Sequence, residues 1–308
     1  MDLRQFWATW RRDILRGAVI FTVVLVAGLA IVRFYRTARE GMRTVMNRDF
    51  NLDDGGPAPP PSPDAPAETS ATWTWSGRVA PRQSVWIRNV NGSVKVEPAA
   101  GDDVQVTAVK SGRRSQFGRV RLDLAPEQGV TICAVWSGGR ARCGAQGDYE
   151  GGRMRGGNDV RVDFTVRLPR RVRIDAFTVN GDVEVAGAAA PVKARTVNGR
   201  IEAHTSAGPI EASDVNGSIH AAITAFADSG PVSAKTVNGS VTLELPARLD
   251  AHVEATTLTG SIESDFPLTA SEGLIPRRFS GTVGSGARAI KLGTLHGSIT
   301  LRKLAPKH

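Results

Sequence analysis

The sequence predicts an all-β protein, a β-solenoid or β-helix-like stack of short strands preceded by one N-terminal transmembrane helix. Three observations predict this: a recurring tetrapeptide, an even spacing of small aliphatic residues around it, and one apolar run near the N-terminus. Each copy of the tetrapeptide ends in an Asn-Gly pair, at Asn180-Gly181, Asn198-Gly199, Asn216-Gly217 and Asn238-Gly239. A fixed period of eighteen residues, with one step of twenty-two, indicates a structural unit stacked on itself.

The aliphatic spacing predicts a strand through each Asn-Gly pair. Val197, Gly199 and Ile201 are separated by even steps, so they share one face of an extended chain. A two-residue hairpin at Asn-Gly would send Ile201 to the opposite face. We therefore expect the glycine to point inward, at a kink within a running strand.

A shorter aliphatic pair precedes each long strand, as Val192 and Ala194 do after Pro191. The step from Ala194 to Val197 is odd, which predicts a corner near Arg195 and Thr196. Gly-Pro pairs such as Gly208-Pro209 predict the other corner. Each repeat thus has two strands, and residues from about 174 to 304 are interpreted as a regular β-solenoid. A plain antiparallel meander is the alternative.

The predicted β-repeat domain covers residues 72–305. Residues 72–171 lack a clean period but keep a two-residue alternation, which predicts part of the same sheet system with irregular hairpins inserted. Trp73 and Trp75 are expected to cap the narrow core, and residues 266–289 to form a loop or terminal cap.

The N-terminal fifty residues are predicted to hold a cytoplasmic tail, a transmembrane helix over about 14–35 and a juxtamembrane helix. An uncharged run over 17–32 lies between two arginines that can snorkel, which extends it to the length of a bilayer span. A cleaved signal peptide is the competing interpretation, and the flanking arginines leave the orientation nearly tied. Residues 51–71 form a proline-rich linker.

Two cysteines, Cys133 and Cys143, flank a glycine-rich loop. A disulfide between them requires an oxidising compartment, whereas two free thiols would not. The disulfide is the preferred interpretation, and it places the C-terminal domain outside the cytoplasm, in the periplasm or on the cell surface.

The chain carries a formal net charge of +9, which favours an anionic partner such as an envelope polymer. Aromatic and basic residues do not interleave, so no nucleic acid is expected. No catalytic, cofactor-binding or metal-binding residues are assigned, and no cofactor is expected. Equivalent outward positions hold Glu184, Glu202, His220 and Thr242, but the five histidines fall at different positions of their repeats and are interpreted as separate surface residues.

Three features of the sequence together resemble the bacterial putative-adhesin β-strand-repeat family, a domain of unknown function. They are the Val-Asn-Gly strands, the lead-in from Asn158-Asp159-Val160 to Leu168-Pro169, and the final block from Phe266-Pro267-Leu268 to Gly297-Ser298-Ile299. The resemblance spans about residues 73–303. It implies an envelope-associated, non-enzymatic repeat domain and brings no binding residues to transfer.

The expected function is therefore adhesion or cell-envelope interaction by a membrane-anchored, extracytoplasmic β-repeat domain. A scaffold or sensor subunit that binds another envelope protein is the alternative, and a polysaccharide-active enzyme is the third.

Overall fold

The computed structural model describes residues 71–136, 142–150, 159–226, 230–270 and 277–304. The predicted transmembrane helix and proline-rich linker lie outside these residues, as does the glycine-rich segment 151–157. In the described ranges, no helix is both long and apolar enough to cross a membrane. These ranges form 23 strands and two short 3₁₀ turns, Arg114–Arg119 and Ala145–Gly147, which confirms the all-β class.

The strands before the regular repeats are short and irregularly spaced. They are β1 (Thr72–Arg78), β2 (Ser84–Arg88), β3 (Val94–Pro98), β4 (Asp103–Ser111), β5 (Val120–Ala125), β6 (Gly129–Trp136), β7 (Arg142–Cys143), β8 (Tyr149–Glu150) and β9 (Arg161–Leu168).

The repeats and the C-terminal region supply fourteen more strands. They are β10 (Arg173–Phe177), β11 (Val183–Ala188), β12 (Val192–Arg195), β13 (Ile201–Thr205), β14 (Ile210–Ser213), β15 (Ile219–Ile223), β16 (Val232–Lys235), β17 (Val241–Leu245), β18 (Ala251–Thr259), β19 (Ile262–Ser264), β20 (Thr269–Ala270), β21 (Arg277–Val283), β22 (Ala289–His296) and β23 (Ile299–Lys303).

The strands form two large sheets that face each other across a narrow core. Sheet 1 has ten strands in the order β1-β4-β9-β3-β11-β13-β15-β17-β23-β19. Sheet 2 has eleven in the order β20-β21-β18-β22-β16-β14-β12-β10-β2-β6-β5, and β7 pairs with β8 separately. Each coil contributes one strand to each sheet, and equivalent strands of successive coils pair in parallel. The antiparallel meander is therefore wrong for the repeats.

Small aliphatic side chains fill the space between the sheets, as the sequence predicted. Ile201 and Ala203 from sheet 1 and Ala194 and Ala212 from sheet 2 have no exposed surface. Side chains of this size let the two sheets approach closely at native packing density.

The prediction of an extended strand through Asn-Gly is wrong in part. Sheet 2 strand β12 ends at Arg195 and sheet 1 strand β13 begins at Ile201, so the tetrapeptide forms the corner between the sheets. Thr196 is 3% exposed and points inside, whereas Val197 is only half-buried. Tight reversal is equally excluded, because Asn198 bridges in parallel to Asn180 and Asn216.

The corner glycines face the neighbouring coil and not the core. A Cβ added at Gly199 would overlap the backbone carbonyl of Gly181, and one at Gly217 would overlap that of Gly199. Glycine is therefore required at this corner because stacked backbones approach too closely for any side chain.

The two ends of the stack are capped by antiparallel strands. At one end β1 pairs with β4, and Trp73 and Trp75 of β1 pack against the core as predicted. At the other end β21 lies antiparallel to β18, so residues 266–289 include a capping strand. The last coil, β22 and β23, lies between the coil of β16 and β17 and the coil of β18 and β19.

Candidate functional site

The Asn-Gly corner is a continuous column from one coil to the next. Asn91, eighty-nine residues before Asn180, occupies the same column, and His296 takes its place after Asn238. In the regular repeats the side chains also connect: Asn198 donates to Asn180 Oδ1 at 2.9 Å, and Asn216 donates to Asn198 Oδ1 at 2.9 Å. Asn238 continues the series to Asn216 at 2.8 Å. The asparagine side chains therefore connect successive coils of the stack.

A second column lies inside the same corner, where threonine hydroxyls donate to glycine carbonyls of the neighbouring coil. Thr178 donates to Gly92 O at 2.8 Å and Thr196 to Gly181 O at 2.9 Å. The other members are Thr236 to Gly217 O, Thr294 to Gly239 O and Thr257 to Gly297 O. These bonds satisfy buried carbonyls at the turn of the chain.

Asp214 replaces threonine at one level of this column. Its Oδ1 accepts from the Val215 backbone at 2.6 Å, but its Oδ2 is buried and finds no partner among the described residues. An ionised carboxylate cannot donate as threonine does. Burial raises the pKa of Asp214 to about 7, and the nearby Asp182 adds to the increase.

The disulfide holds a short segment against the outer face of sheet 2. Cys133 and Cys143 are bonded with a Cα separation of 5.8 Å, which confirms the predicted disulfide. Beyond it, Gly147 donates to Thr131 Oγ1 at 2.9 Å, and the phenol of Tyr149 donates to Ala134 O at 3.0 Å.

A buried ion cluster, which the sequence analysis missed, lies beneath this segment. Arg88 is 2% exposed; its Nε donates to Gly147 O at 2.8 Å and its guanidinium to Asp175 Oδ1 at 3.0 Å. Arg195 donates to the same carboxylate oxygen at 2.9 Å, and burial lowers the pKa of Arg195 to about 10. Both arginines lie at the ends of sheet 2 strands, where alternation alone does not separate buried from exposed side chains.

Four exposed arginines lie on two adjoining backbone segments at the corner opposite the asparagines. We call this group the arginine cluster: Arg82, Arg170, Arg171 and Arg173. The turn before β2 and the turn before β10 join there, because Arg82 N donates to Arg171 O at 2.8 Å and Arg173 N donates to Gln83 O at 2.9 Å. All four are exposed, and none pairs with a carboxylate within the part of the chain that the structure describes. The turn before β6 adds Glu127 nearby.

A second polar group lies on the outer face of sheet 1. We call it the Glu-His cluster: Glu202 and His204 on β13, His220 on β15 and Glu244 on β17. Glu184, Glu202, His220 and Thr242 align across the sheet as predicted. The interpretation of the histidines as separate surface residues is wrong for His204 and His220, whose rings meet edge to face at 5.5 Å. His220 is equivalent to Glu202 in the repeat, so His204 and His220 stand two residues apart in repeat position. A comparison of identical repeat positions therefore does not pair them.

The family model described as Toastrack DUF4097 matches residues 145–302. The chain belongs to this family. The match covers the strands from β8 to β22 and most of β23. Strands β1 to β7 lie before it in sequence; β1 to β6 join the same two large sheets, and β7 pairs with β8. Among curated proteins, none matches the chain.

Solved structures similar to this Toastrack chain include the following two. A putative cell adhesion protein from Clostridium sporogenes has 8% identity and a TM-score of 0.45, covering 76% of this chain and 99% of that one. A putative adhesin from Bacteroides fragilis has 12% identity and a TM-score of 0.34, covering 75% and 96%.

Proposed function

We propose that this protein is a membrane-anchored adhesion domain that stands outside the cytoplasm and binds an anionic polymer of the cell envelope through the arginine cluster. Residues 14–35 provide the anchor and residues 51–71 the spacer. The observation that carries the proposal is the arginine cluster, where backbone hydrogen bonds join two segments that carry four exposed arginines.

The electrostatic argument favours a polyanion over a small acidic ligand. The four arginines are exposed, so they remain hydrated and each contact with an anion contributes little alone. A polymer with repeated negative charges engages several arginines at once, and planar guanidinium groups pair well with phosphate or carboxylate. Such binding weakens steeply with added salt.

The disulfide supports the extracytoplasmic location. Bonds of this kind persist in oxidising compartments and are rare in the cytosol. Here the disulfide joins β6 to β7, and the segment after β7 contributes the Gly147 carbonyl that accepts from Arg88. Formation of the disulfide therefore helps to hold this segment on the outer face of sheet 2.

The binding test uses the full-length chain in detergent and fluorescent polyphosphate as the polyanion. The double variant Arg170→Glu/Arg171→Glu should lower the affinity by about tenfold or more at low salt. The matched control Arg248→Glu/Arg302→Glu changes the net charge equally, at exposed positions far along the chain, and should lower it by less than about threefold. Equal losses in both variants, or binding only to anionic lipid vesicles, would contradict the polymer assignment.

The location is tested separately in intact cells. A cysteine introduced in the 51–71 spacer should react with a membrane-impermeant maleimide, while a cysteine introduced before residue 14 should react only after lysis. Protection of the spacer cysteine in intact cells would place the domain in the cytoplasm.

A further inference from the structure

The outer face of sheet 1 holds a group of nitrogen and oxygen ligands that the proposed adhesion function does not use. Outward positions of adjacent parallel strands lie side by side: Glu202 is beside His220, and His204 is beside Ala222. On the next strand Glu244 is beside Ala222. Two histidines and two carboxylates thus surround one alanine, although Glu202 and Glu244 are forty-two residues apart.

The distances within this Glu-His cluster are short. Nε2 of His204 lies 3.4 Å from Oε1 of Glu202, and Nε2 of His220 lies 3.3 Å from Oε1 of Glu244. One ligand atom from each of Glu202, His204 and His220 falls within 4.8 Å of the others. The His204–Glu202 distance already equals the roughly 3.4 Å edge of a tetrahedral site whose metal–ligand bonds are about 2.0–2.1 Å, and His220 needs to approach the other two ligand atoms by at most about 1.4 Å.

The burial of Ala222 shows that these side chains pack over one shared position of the sheet. Ala222 occupies an outward position of β15, yet it is only 5% exposed, because the surrounding side chains cover it. Nε2 of His204 is also buried and makes no hydrogen bond within the described residues. Oε1 of Glu202 faces this nitrogen at 3.4 Å without a hydrogen bond, so a metal ion held between the two atoms would bind both.

The donor set identifies the class of ligand. Calcium and magnesium prefer shells of oxygen atoms, whereas two imidazoles and a carboxylate suit zinc and similar transition metals. The carboxylate of Glu244 lies against His220 on the side of the next coil, which is the arrangement that orients a metal-bound histidine ring.

We propose that Glu202, His204 and His220 bind one Zn²⁺ ion on the outer face of sheet 1, with Glu244 positioning His220. The side chains of Glu202, His204 and His220 are 55%, 43% and 42% exposed, so small rotamer changes can close the site around the ion. The bound ion cross-links two successive coils, β13 and β15, which are otherwise joined by backbone hydrogen bonds and packing. It therefore stabilises the stack in the way that a ligand specific to the folded state does.

The test is a calorimetric titration of the tag-free, oxidised full-length chain with ZnCl₂, and with MgCl₂ in parallel. We expect one Zn²⁺ per chain, no measurable Mg²⁺ binding, and a higher melting temperature with Zn²⁺. His204→Ala and His220→Ala should each weaken Zn²⁺ binding at least about tenfold, and Glu244→Gln by less, since it acts through His220.

The matched control is His252→Ala. His252 lies on the outer face of sheet 2, where its Nδ1 is 3.0 Å from Thr282 Oγ1, and its replacement should leave Zn²⁺ affinity unchanged. Wild-type affinity in the His204→Ala/His220→Ala double variant would overturn the proposal, and so would the absence of a Zn²⁺ effect on wild type. If the variants unfold, Co²⁺ added to wild type decides instead. Absorption bands of tetrahedral cobalt that Zn²⁺ displaces support the site, and a purely octahedral spectrum refutes it.

Discussion

The two corners of each coil obey different constraints. At the Asn-Gly corner, the sheet 2 strand ends and the sheet 1 strand begins six residues later in all five of the coils that begin at β2, β10, β12, β14 and β16. At the opposite corner, which we call the proline corner, the connection varies. It has four residues between β13 and β14 and eight between β15 and β16.

The large insertions also enter at the proline corner. Strands β4 to β9 lie between β3 and β10, and strands β18 to β21 lie between β17 and β22. The asparagine column nevertheless continues across both insertions. One corner is fixed by contacts with the coils above and below, and the other is free to change length and sequence. The arginine cluster lies at the free corner.

An insertion compares the two corners most directly and should give the largest effect. Gly-Ser placed between Asn198 and Gly199 should abolish cooperative unfolding, because it displaces both columns from the neighbouring coils. The same dipeptide between Ser206 and Ala207 should lower the melting temperature by only a few degrees, since loop length changes the free energy slowly. Thermal unfolding followed by circular dichroism measures both, and similar losses would show that the corners are equally constrained.

Replacement of a corner glycine should give the next largest loss of stability. Gly199→Val forces a side chain into the Gly181 carbonyl and should lower the free energy of unfolding by about 3 kcal/mol or more. Arg200→Val, one residue further along, removes only exposed contacts with Asp182 and should cost less than about 1 kcal/mol. Urea denaturation compares them, and equal midpoints would contradict the close approach of the coils.

Asp214→Thr should restore a threonine hydroxyl at this level of the column. The new hydroxyl can donate to a neighbouring glycine carbonyl, which should raise the free energy of unfolding by about 1 kcal/mol at neutral pH. The pH dependence is the sharper result. Because the pKa of Asp214 is raised to about 7 from an ordinary 3.8, the folded state retains a proton that the unfolded state has lost between these values.

Wild-type stability should therefore contain a component that falls as the pH rises from about 4 to about 7, by at most about 1.4 kcal/mol per pH unit. Asp214→Thr and Asp214→Asn both lack this component. Urea denaturation at pH 5 and pH 8 measures it, and a constant difference between wild type and Asp214→Thr at the two pH values would exclude the buried carboxyl as its source.

The asparagine column should give the smallest effect. Asn216 both donates to Asn198 and accepts from Asn238, so Asn216→Ala removes two exposed hydrogen bonds. Asn238→Ala removes one of them. We expect losses of about 1 and about 0.5 kcal/mol in the free energy of unfolding, measured by urea denaturation. An equal cost at both positions would mean that the side chains act independently of their neighbours.

Much of the fold was predictable because parallel stacking of equivalent coils requires the same residue pattern to recur along the sequence. The same inward positions return in every coil, so Val192 and Ala194 or Ile201 and Ala203 identify two strands and their phase without coordinates. The disulfide followed from the presence of two cysteines close in sequence. The odd step before Val197 also located a corner correctly, although it did not show that Asn198 and Gly199 belong to the corner.

The candidate sites were less predictable because they depend on which coils are neighbours. The arginine cluster unites a turn at Arg82 with one at Arg171, and only the placement of β2 beside β10 brings them together. His204 and His220 meet diagonally, in a contact that depends on side-chain direction as well as strand order. The buried Arg88 depends on a segment that folds back over sheet 2 beyond the disulfide.

The sequence by itself determined the all-β class, the two-stranded coil, the aliphatic interior and the disulfide, since each depends on periodicity or on residues near in the chain. The tertiary structure alone decided the order of the coils at both ends, the direction in which the corner glycines face and the residues that share each outer face. The physical reason is that neighbouring parallel strands are separated in the sequence by a whole coil or by an insertion of variable length. Their contacts are set by how the coils stack, so no fixed sequence spacing identifies them.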